Sequence, residues 1–301
     1  MDQAEKLRRI VKGLKTNNQP VEDSNTSHAR IITVTSEKGG VRKASFSINL
    51  ALLFRRMGKR VIILDADFGL ANVEVMFGVV PKYTLADLMF KGKELDEVIC
   101  KGPEGVMFIS GGSGVARLVN LDKEQIKRLV NKLSELDSIA DVIIVDTGAG
   151  ISNSVLEFVS ASPEVILVAT PEPTSITDSY ALLKALKMYP GYDANNTKIM
   201  LLGNKTINPQ DGVNMYEKLS SVVTKFLGMS IDFLGAVPSD DNVVRAIMKQ
   251  SPVTSVYPTS SASKAYKQVI EKLTEDKTGK TRDKKGIGNF FNSILKLNGR
   301  F

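Results

Sequence analysis

The sequence predicts an α/β protein with three layers, in which a mainly parallel twisted sheet lies between two layers of helices. Short runs rich in Val, Ile and Leu alternate with longer amphipathic stretches. The runs show little apolar–polar alternation, which is typical of strands buried on both faces of a parallel sheet. A glycine-bearing loop at 36–45 joins the first run to the first helical stretch. Repeated β–α units of this kind predict right-handed crossovers with helices on both faces.

Each element follows from its local pattern. The predicted strands are 31–35, 61–64, 106–110, 142–145, 165–169, 199–202 and 233–237. The predicted helices lie near 44–58, 123–137, 152–160, 174–188, 211–227, 240–249 and 260–275. Because strands and helices alternate without a long break, they define one domain over residues 29–276.

The two ends of the chain differ from this domain. Residues 1–15 carry apolar side chains at helical spacing and 16–28 are polar, which predicts an amphipathic helix followed by a linker. A second, basic linker is predicted at 277–286, and residues 287–301 are again amphipathic. Projected at 100° per residue, their apolar side chains lie within an arc of about 160°. These side chains are Ile287, Phe290, Phe291, Ile294, Leu295, Leu297 and Phe301.

The net charge of +7 is concentrated in the C-terminal tail. Residues 277–301 contain seven basic residues and one acidic residue, whereas 29–276 are neutral overall. A neutral domain argues against a broad nucleic-acid surface, so no nucleic-acid partner is expected.

An apolar helical face beside a basic linker predicts a helix that binds the membrane surface. The alternative is a helix docked on the domain. If the helix can be released, it is docked in one state of the protein and bound to the membrane in another.

The composition excludes several kinds of site. A single cysteine, Cys100, excludes an intramolecular disulfide and a CxxC zinc or redox motif. A single histidine, His28, excludes a metal site with two histidine ligands. No run approaches the 18 apolar residues of a membrane-spanning helix, and the N-terminus lacks the apolar core of a signal peptide. A cytoplasmic location is therefore expected.

The loop after the first strand has the order of elements that binds phosphate. Strand, glycine loop and helix point backbone N–H groups and a helix N-terminus at an anion. Of the P-loop pattern GxxxxGK[ST], however, only Lys43 is kept. Glu37 and Arg42 stand at the two glycine positions, and Ala44 stands at the hydroxyl position.

Four segments in order resemble the MinD/ParA family of P-loop ATPases. Lys38-Gly39-Gly40 with Lys43 is similar to the deviant Walker A loop of that family, which carries an extra early lysine. Residues 64–72 resemble its switch I, 142–150 its Walker B strand and switch II, and 201–205 a strand end whose Asn reads adenine. Each segment follows the carboxyl end of a predicted strand, where ligands bind in open α/β sheets. The resemblance implies the three-layer P-loop NTPase fold.

The resemblance also implies roles for single residues. Lys43 would neutralise phosphate charge, and Lys38 would reach the phosphates of a partner subunit in an ATP-bound homodimer. Asp67 would position the attacking water near Mg²⁺, which Asp146 would hold through water. Asp65 is either a catalytic carboxylate or a carboxylate that caps switch I. The other positions implied to contact ATP or ADP are Gly39, Gly40, Val41, Arg42, Ala44, Ser45, Asn204 and Pro238.

The departures from the Walker pattern predict that hydrolysis is weak or lost. Ala44 lacks the hydroxyl that ligates Mg²⁺, and Ser45 lies about 100° further around the helix, so it does not replace that hydroxyl. Arg42 predicts a strained backbone, because the family has glycine there, although its guanidinium is able to bind phosphate. Glu37 opposes an anionic ligand unless it is paired, and Arg42 across the loop mouth is its expected partner.

Within the family, the chain ends favour one branch. The lone cysteine argues against the iron–sulfur branches, and the neutral domain against DNA-partitioning ParA ATPases. Residues 2–8, DQAEKLR, match the N-terminal DQAxxLR motif of the FlhG (FleN) regulators of flagellar number, and 170–182 and 237–240 are also similar. That resemblance implies membrane binding at the cytoplasmic face, basal-body partners, and a contact with the GTPase FlhF through Asp2, Gln3, Ala4, Leu7 and Arg8. A non-hydrolysing scaffold and a DNA-partitioning ATPase remain the alternatives.

Overall fold

The computed structural model describes residues 28–67, 72–112, 123–275 and 286–297. Eight strands lie within these ranges: β1 (Arg30–Ser36), β2 (Val61–Ala66), β3 (Cys100–Lys101), β4 (Met107–Ser110), β5 (Val142–Ala149), β6 (Glu164–Ala169), β7 (Lys198–Thr206) and β8 (Asp232–Pro238). They form one sheet in the order β3-β4-β2-β5-β1-β6-β7-β8. Every neighbouring pair is parallel except β3 and β4.

Helices cover both faces of this sheet. The first six are α1 (Lys43–Arg56), α2 (Asn72–Phe77), α3 (Leu85–Phe90), α4 (Leu95–Val98), α5 (Lys123–Ser134) and α6 (Leu136–Ile139). The others are α7 (Asn153–Ala161), α8 (Pro173–Met188), α9 (Pro209–Leu227), α10 (Asp241–Met248), α11 (Val253–Val256), α12 (Ser261–Glu275) and α13 (Ile287–Leu297). A 3₁₀ turn at Pro103–Gly105 precedes β4.

The central strand shows how the core is divided. Ile32 and Val34 of β1 are buried in one cluster with side chains of α1, α10 and α12. Ile31, which points to the opposite face, is buried in a second cluster with side chains of α5 and α13. Burying each such side chain contributes roughly 1.5–3 kcal/mol to folding. Because β1 is packed on both faces and paired on both edges, the loop that follows it is held at the middle of the sheet.

The predicted architecture is confirmed, with differences at its short elements. All seven predicted strands are present, and β3 is an additional two-residue strand on the sheet edge. The helix expected near 123–137 is present but interrupted, since α5 ends at Ser134 and α6 begins at Leu136. The short helices α2, α3, α4 and α11 were not predicted because four to six residues do not establish a helical period. The predicted N-terminal helix and both linkers, apart from residues 28 and 286, lie outside the described residues.

The C-terminal helix α13 is docked on the domain. Ile287, Phe290, Phe291 and Ile294 are each at most 6% exposed. The helix packs against α5 and α7, and the centre of the Phe290 ring lies 6.0 Å from the centre of the Phe158 ring on α7. Of the two interpretations of this apolar face, the structure therefore shows the docked one. The side chains of Leu295 and Leu297 and the whole of Phe301 lie outside the described part of the chain.

No helix within the described ranges combines the length and the apolar character needed to cross a bilayer.

Candidate functional site

The loop between β1 and α1 contains two residues in the left-handed region of backbone conformation. Gly40 has φ 80°, and Arg42, the residue before α1, has φ 64° and ψ 35°. This left-handed conformation costs a non-glycine residue roughly 1–2 kcal/mol, so the strain predicted at Arg42 is confirmed. A Cβ placed on Gly39 or Gly40 would meet no atom within 4 Å. The backbone of the loop therefore borders open space, although arginine stands where the family has glycine.

A buried ion pair anchors the end of the loop. The Lys43 Nζ lies 2.9 Å from the Asp146 Oδ1, and the Ser47 hydroxyl donates to the same oxygen at 2.7 Å. Lys43 is 7% exposed and Asp146 is fully buried, while the Asp146 Oδ2 has no hydrogen-bond partner within the described residues. The lysine expected to bind phosphate and the carboxylate expected to serve the metal thus contact each other directly.

Asp65 organises the start of switch I. Its two carboxylate oxygens accept the backbone N–H groups of Asp67 and Val73 at 3.1 and 3.2 Å. Burial, together with the charge of the nearby Asp146, raises the pKa of Asp65 to about 7. These contacts are those of a carboxylate that caps switch I, which is one of the two roles considered for it. Asp67 itself accepts a hydrogen bond from the Asn72 amide at 3.1 Å.

The expected pair between Glu37 and Arg42 is wrong. The Glu37 side chain turns inward and is 6% exposed, and its Oε1 accepts a short hydrogen bond from the Ser175 hydroxyl at the start of α8. Ser175 in turn accepts the Thr170 N–H at 2.9 Å. Burial raises the pKa of the Glu37 carboxyl above its ordinary value. The carboxylate that replaces glycine therefore ties the loop to α8 and does not face Arg42.

The early lysine of the loop is held on the surface. The Lys38 Nζ lies 2.8 Å from the Glu172 Oε2 and 3.4 Å from the Thr174 Oγ1, just before and within the first turn of α8. The hydrogen bond to Glu172 raises the pKa of Lys38 above its ordinary value. Because the pair is exposed, it contributes little to stability and opens readily.

Asn204 and its neighbour close the other side of the loop. The Asn204 amide nitrogen donates to the Val41 carbonyl at 2.7 Å, and the Lys205 ammonium donates to the Gly40 carbonyl at 2.7 Å. Two side chains from the end of β7 thus hold consecutive carbonyl groups of the loop in place.

Pro238, at the end of β8, lies beside the end of β7. It is paired with Thr206 in the sheet register, and the N–H of the following residue, Ser239, donates to the Thr206 carbonyl at 2.8 Å. This backbone hydrogen bond fixes the two strand ends next to each other. The strand ends expected to form the site are thus brought together at one edge of the sheet.

The residues present fit a bound phosphate better than a directly ligated metal ion. The open loop backbone, the N-terminus of α1 and Lys43 supply N–H donors and positive charge for phosphate oxygens. For Mg²⁺, the unpartnered Asp146 Oδ2 is one acceptor, but Ala44 offers no hydroxyl and Ser45 is buried at 3% exposure. The described residues also contain no group of three or more His, Cys, Asp or Glu side chains that is able to hold a metal. The side chains of this loop therefore do not fit a metal ion that they would ligate directly.

Several residues of the site were missed in the sequence. Ser47 lies one helical turn after Lys43, and that spacing is the signal that places both side chains on the Asp146 side of α1. Glu172 directly precedes α8 and Ser175 lies in its first turn. Both are far from the loop in sequence, and no local pattern connects them with it. Lys205 follows a predicted site residue directly, but its φ of 55° and its bond to the loop depend on the tertiary structure.

Comparison with known proteins assigns the family. A family model for ParA, described as the NUBPL iron-transfer P-loop NTPase, matches residues 27–274. The chain belongs to the ParA/MinD family of P-loop NTPases. The iron-transfer function belongs to the protein named in that description, and this ParA/MinD chain has a single cysteine. Burial raises the pKa of the Cys100 thiol above its ordinary value.

Two relatives of this ParA/MinD protein are similar over most of its length. The antiactivator FleN of Pseudomonas aeruginosa is 43% identical over 81% of this chain and 86% of FleN. The flagellum site-determining protein YlxH of Helicobacter pylori is 32% identical over 91% of this chain and 92% of YlxH. Among solved structures, MinD of Pyrococcus horikoshii, complexed with Mg-ADP, has a TM-score of 0.65 and 23% identity. The match covers 85% of this chain and 99% of that MinD chain. At 23% identity the similarity supports the fold alone.

We expect the raised pKa of Asp65 to make the protein less stable as the pH rises from about 4 to 7. In this window the folded protein keeps the Asp65 proton while the unfolded chain releases it, so the free energy of unfolding falls with pH and levels off above about 7. The Asp65 share of this fall is up to about 4 kcal/mol. Asp65→Asn removes this contribution. Urea unfolding at several pH values should therefore show a smaller fall in the free energy of unfolding between about pH 4 and 7 for the variant than for the wild type.

Asp96→Asn is the matched control, because Asp96 is an exposed carboxylate on α4. Its pH profile should follow that of the wild type. Equal declines in Asp65→Asn and the wild type would show that Asp65 does not hold its proton in the folded protein.

Proposed function

We propose that the chain is a MinD-like nucleotide-binding regulator of flagellar number and placement. The observation that carries this proposal is the 43% identity with the antiactivator FleN over 81% of the chain. The similarity to the flagellum site-determining protein YlxH supports the same process. The order of strand, loop and helix at the edge of the sheet, with open space beside Gly39 and Gly40, supports nucleotide binding as the means of control.

The site supports a cycle in which ATP exchanges internal contacts for intermolecular ones. Phosphate would compete with Asp146 for Lys43, since both are anions within reach of one ammonium group. Lys38 would leave its exposed pair with Glu172 and reach the nucleotide of a second subunit in an ATP-dependent homodimer. Asn204 would exchange its backbone carbonyl partner in the loop for adenine. In each step a group that already has a partner on this chain changes to a partner on the ligand.

The C-terminal helix would serve as a reversible membrane anchor at the cytoplasmic face of the cell membrane. Its apolar face is buried against α5 and α7, and basic residues of 277–285 precede it. Releasing four buried apolar side chains costs several kcal/mol, on the basis of roughly 1.5–3 kcal/mol for each. A membrane offsets this cost by burying the same face, and a dimer supplies two helices that bind together.

The N-terminal segment would connect the protein to the flagellar machinery. Residues 2–8 match the motif that FlhG proteins use to contact the GTPase FlhF, and stimulation of that GTPase is the proposed output. Basal-body proteins are the other proposed partners. Since the predicted linker 16–28 separates the N-terminal segment from the domain, the segment would act without altering the nucleotide loop.

A second function, that of a non-hydrolysing scaffold, is favoured by two specific observations. The metal-binding hydroxyl is replaced by Ala44, while Glu37 is buried and bonded to Ser175 inside the domain. Such a protein would bind nucleotide as a structural ligand and regulate its partners without turnover. ATP hydrolysis by the purified protein, with and without vesicles, distinguishes the two functions.

Restoring the family residues in the loop should raise ATP hydrolysis by roughly a hundredfold. In the triple variant Glu37→Gly, Arg42→Gly and Ala44→Thr, glycine relieves the left-handed strain at 42, and threonine supplies the missing hydroxyl. Stabilisation of charge in the transition state commonly contributes ~3 kcal/mol, which corresponds to that factor in rate. Release of phosphate from Mg-ATP measures the effect.

The control for this experiment is Lys43→Ala in the restored background, which should abolish the gained activity. The single change Ala44→Thr should do little while Arg42 remains, because the three positions shape one loop and are not additive. If the wild type already hydrolyses ATP as fast as the triple variant, the scaffold function is wrong.

The apolar face of α13 should be required for membrane binding. Phe290→Glu with Phe291→Glu places two charges on the face that would enter the lipid, so binding to anionic vesicles should be lost while the domain stays folded. Vesicle sedimentation measures the loss. Asn289→Glu with Ser293→Glu is the matched control, since it adds the same charge at exposed positions of the same helix. Equal binding by both double variants would refute a role for the apolar face.

Deleting residues 1–15 should abolish stimulation of the GTPase FlhF without changing nucleotide affinity. The deletion removes the DQAEKLR segment and leaves every described residue in place. The GTP turnover of FlhF from the same organism is the readout. A variant lacking 18–23 shortens the linker, keeps the motif and should still stimulate. Full stimulation by the deleted protein would show that the motif is not the contact.

A further inference from the structure

One carboxylate holds both ends of the described chain. Asp137, on α6, accepts the backbone N–H of Ala29 on its Oδ1 at 3.1 Å, and its Oδ2 lies 3.1 Å from the His28 Nδ1. The same carboxylate accepts the backbone N–H of Ile287, the first residue of α13, at 3.1 Å on Oδ2 and 3.3 Å on Oδ1. The segment that enters the domain and the helix that ends it therefore have a common anchor.

The sequence before α13 is adapted to this anchor. A Cβ on Gly286 would overlap both the Asp137 Oδ2 and the His28 Nδ1, and a Cβ on Gly288 would overlap the Ser134 hydroxyl. Glycine at 286 thus permits the start of α13 to lie directly against both Asp137 and His28. The Gly286 carbonyl also accepts the N–H groups of two residues in the first turn and so begins the helix. Asp137 consequently caps α13 from another part of the chain.

We propose that Asp137 couples the two ends of the chain, so that detaching either residues 28–29 or helix α13 loosens the other. The coupling rests on the contacts of Asp137, and its use in controlling membrane binding rests on the proposed function. Any partner that draws the N-terminal segment away from Asp137 would then favour release of α13.

Two physical effects produce the coupling. A carboxylate at a helix N-terminus stabilises the helix through its charge and its hydrogen bonds to N–H groups, and Asp137 contributes both to α13. The Asp137 side chain is 17% exposed and must be fixed in one rotamer to reach either end. When residues 28–29 already fix it, α13 docks without a further loss of side-chain freedom, and the reverse is equally true. The coupling free energy is the same in both directions.

Hydrogen exchange of the full-length protein tests the coupling without vesicles or a partner protein. Asp137→Asn should speed exchange of the Ala29 amide and of the α13 amides by about two- to thirtyfold, the range expected from loss of a charge at a helix N-terminus. Phe290→Glu with Ile294→Glu, which detaches α13 from positions remote from residue 28, should also speed exchange at Ala29. In the Asp137→Asn background, the same detachment should add nothing at Ala29.

Asp141→Asn is the matched control. Asp141 is a nearby carboxylate whose side chain contacts Arg60 and neither chain end, so exchange at Ala29 and in α13 should stay unchanged. Unchanged exchange at both ends in Asp137→Asn would overturn the proposal. It would also be overturned if α13 detaches in the Phe290 and Ile294 variant while exchange at Ala29 stays at the wild-type rate.

Vesicle binding then separates this proposal from the proposed function. If both hold, Asp137→Asn should bind anionic vesicles several-fold more tightly than the wild type and the Asp141→Asn control. If exchange shows the coupling and no variant binds vesicles, the coupling stands and the membrane function fails. If vesicles are bound equally by the wild type and Asp137→Asn while exchange is unchanged, the membrane function stands and the coupling fails.

Discussion

The buried pair between Lys43 and Asp146 is the interaction on which the site depends. It joins the start of α1 to β5 at the centre of the sheet, and both charged groups are almost completely removed from water. Removing one partner of such a pair usually costs about 3–5 kcal/mol, because the other charge is left buried and unpaired. Asp146 also lies opposite Asp65 in the register of β2 and β5, and burial together with the charge of Asp146 raises the pKa of Asp65 to about 7. The loop, switch I and β5 therefore share one electrostatic centre.

Around this centre, cationic and amide groups of the site have partners on the chain itself. The pairs are Lys38 with Glu172, Lys43 with Asp146, Lys205 with the Gly40 carbonyl and Asn204 with the Val41 carbonyl. A ligand gains only the difference between its own contacts and those it displaces. The exposed contacts of Lys38 are the easiest to exchange, and the buried contact of Lys43 is the hardest. This ranking follows from burial alone and is independent of the chemistry of the phosphate.

The sequence predicted the layers, the sheet and the edge that carries the site, because buried parallel strands and glycine loops leave strong local patterns. It also identified Arg42 as strained, since a side chain at a glycine position has few allowed conformations. The partner predicted for Glu37 was wrong. Arg42 was expected because it is an opposite charge in the same loop, but the Glu37 carboxylate accepts a hydrogen bond from the Ser175 hydroxyl of α8. The short helices and β3 were missed for the same reason, since tertiary packing and not local periodicity determines them.

The docked position of α13 makes the tail sensitive to temperature. Its release brings apolar surface of the helix into water, and at the same time exposes the side chains of α5 and α7 that covered it. Hydration of apolar surface raises the heat capacity, so apolar burial near room temperature is driven mainly by entropy and weakens on cooling. The apolar contribution to docking is thus smaller in a cold cell than in a warm one, before any ligand or partner acts.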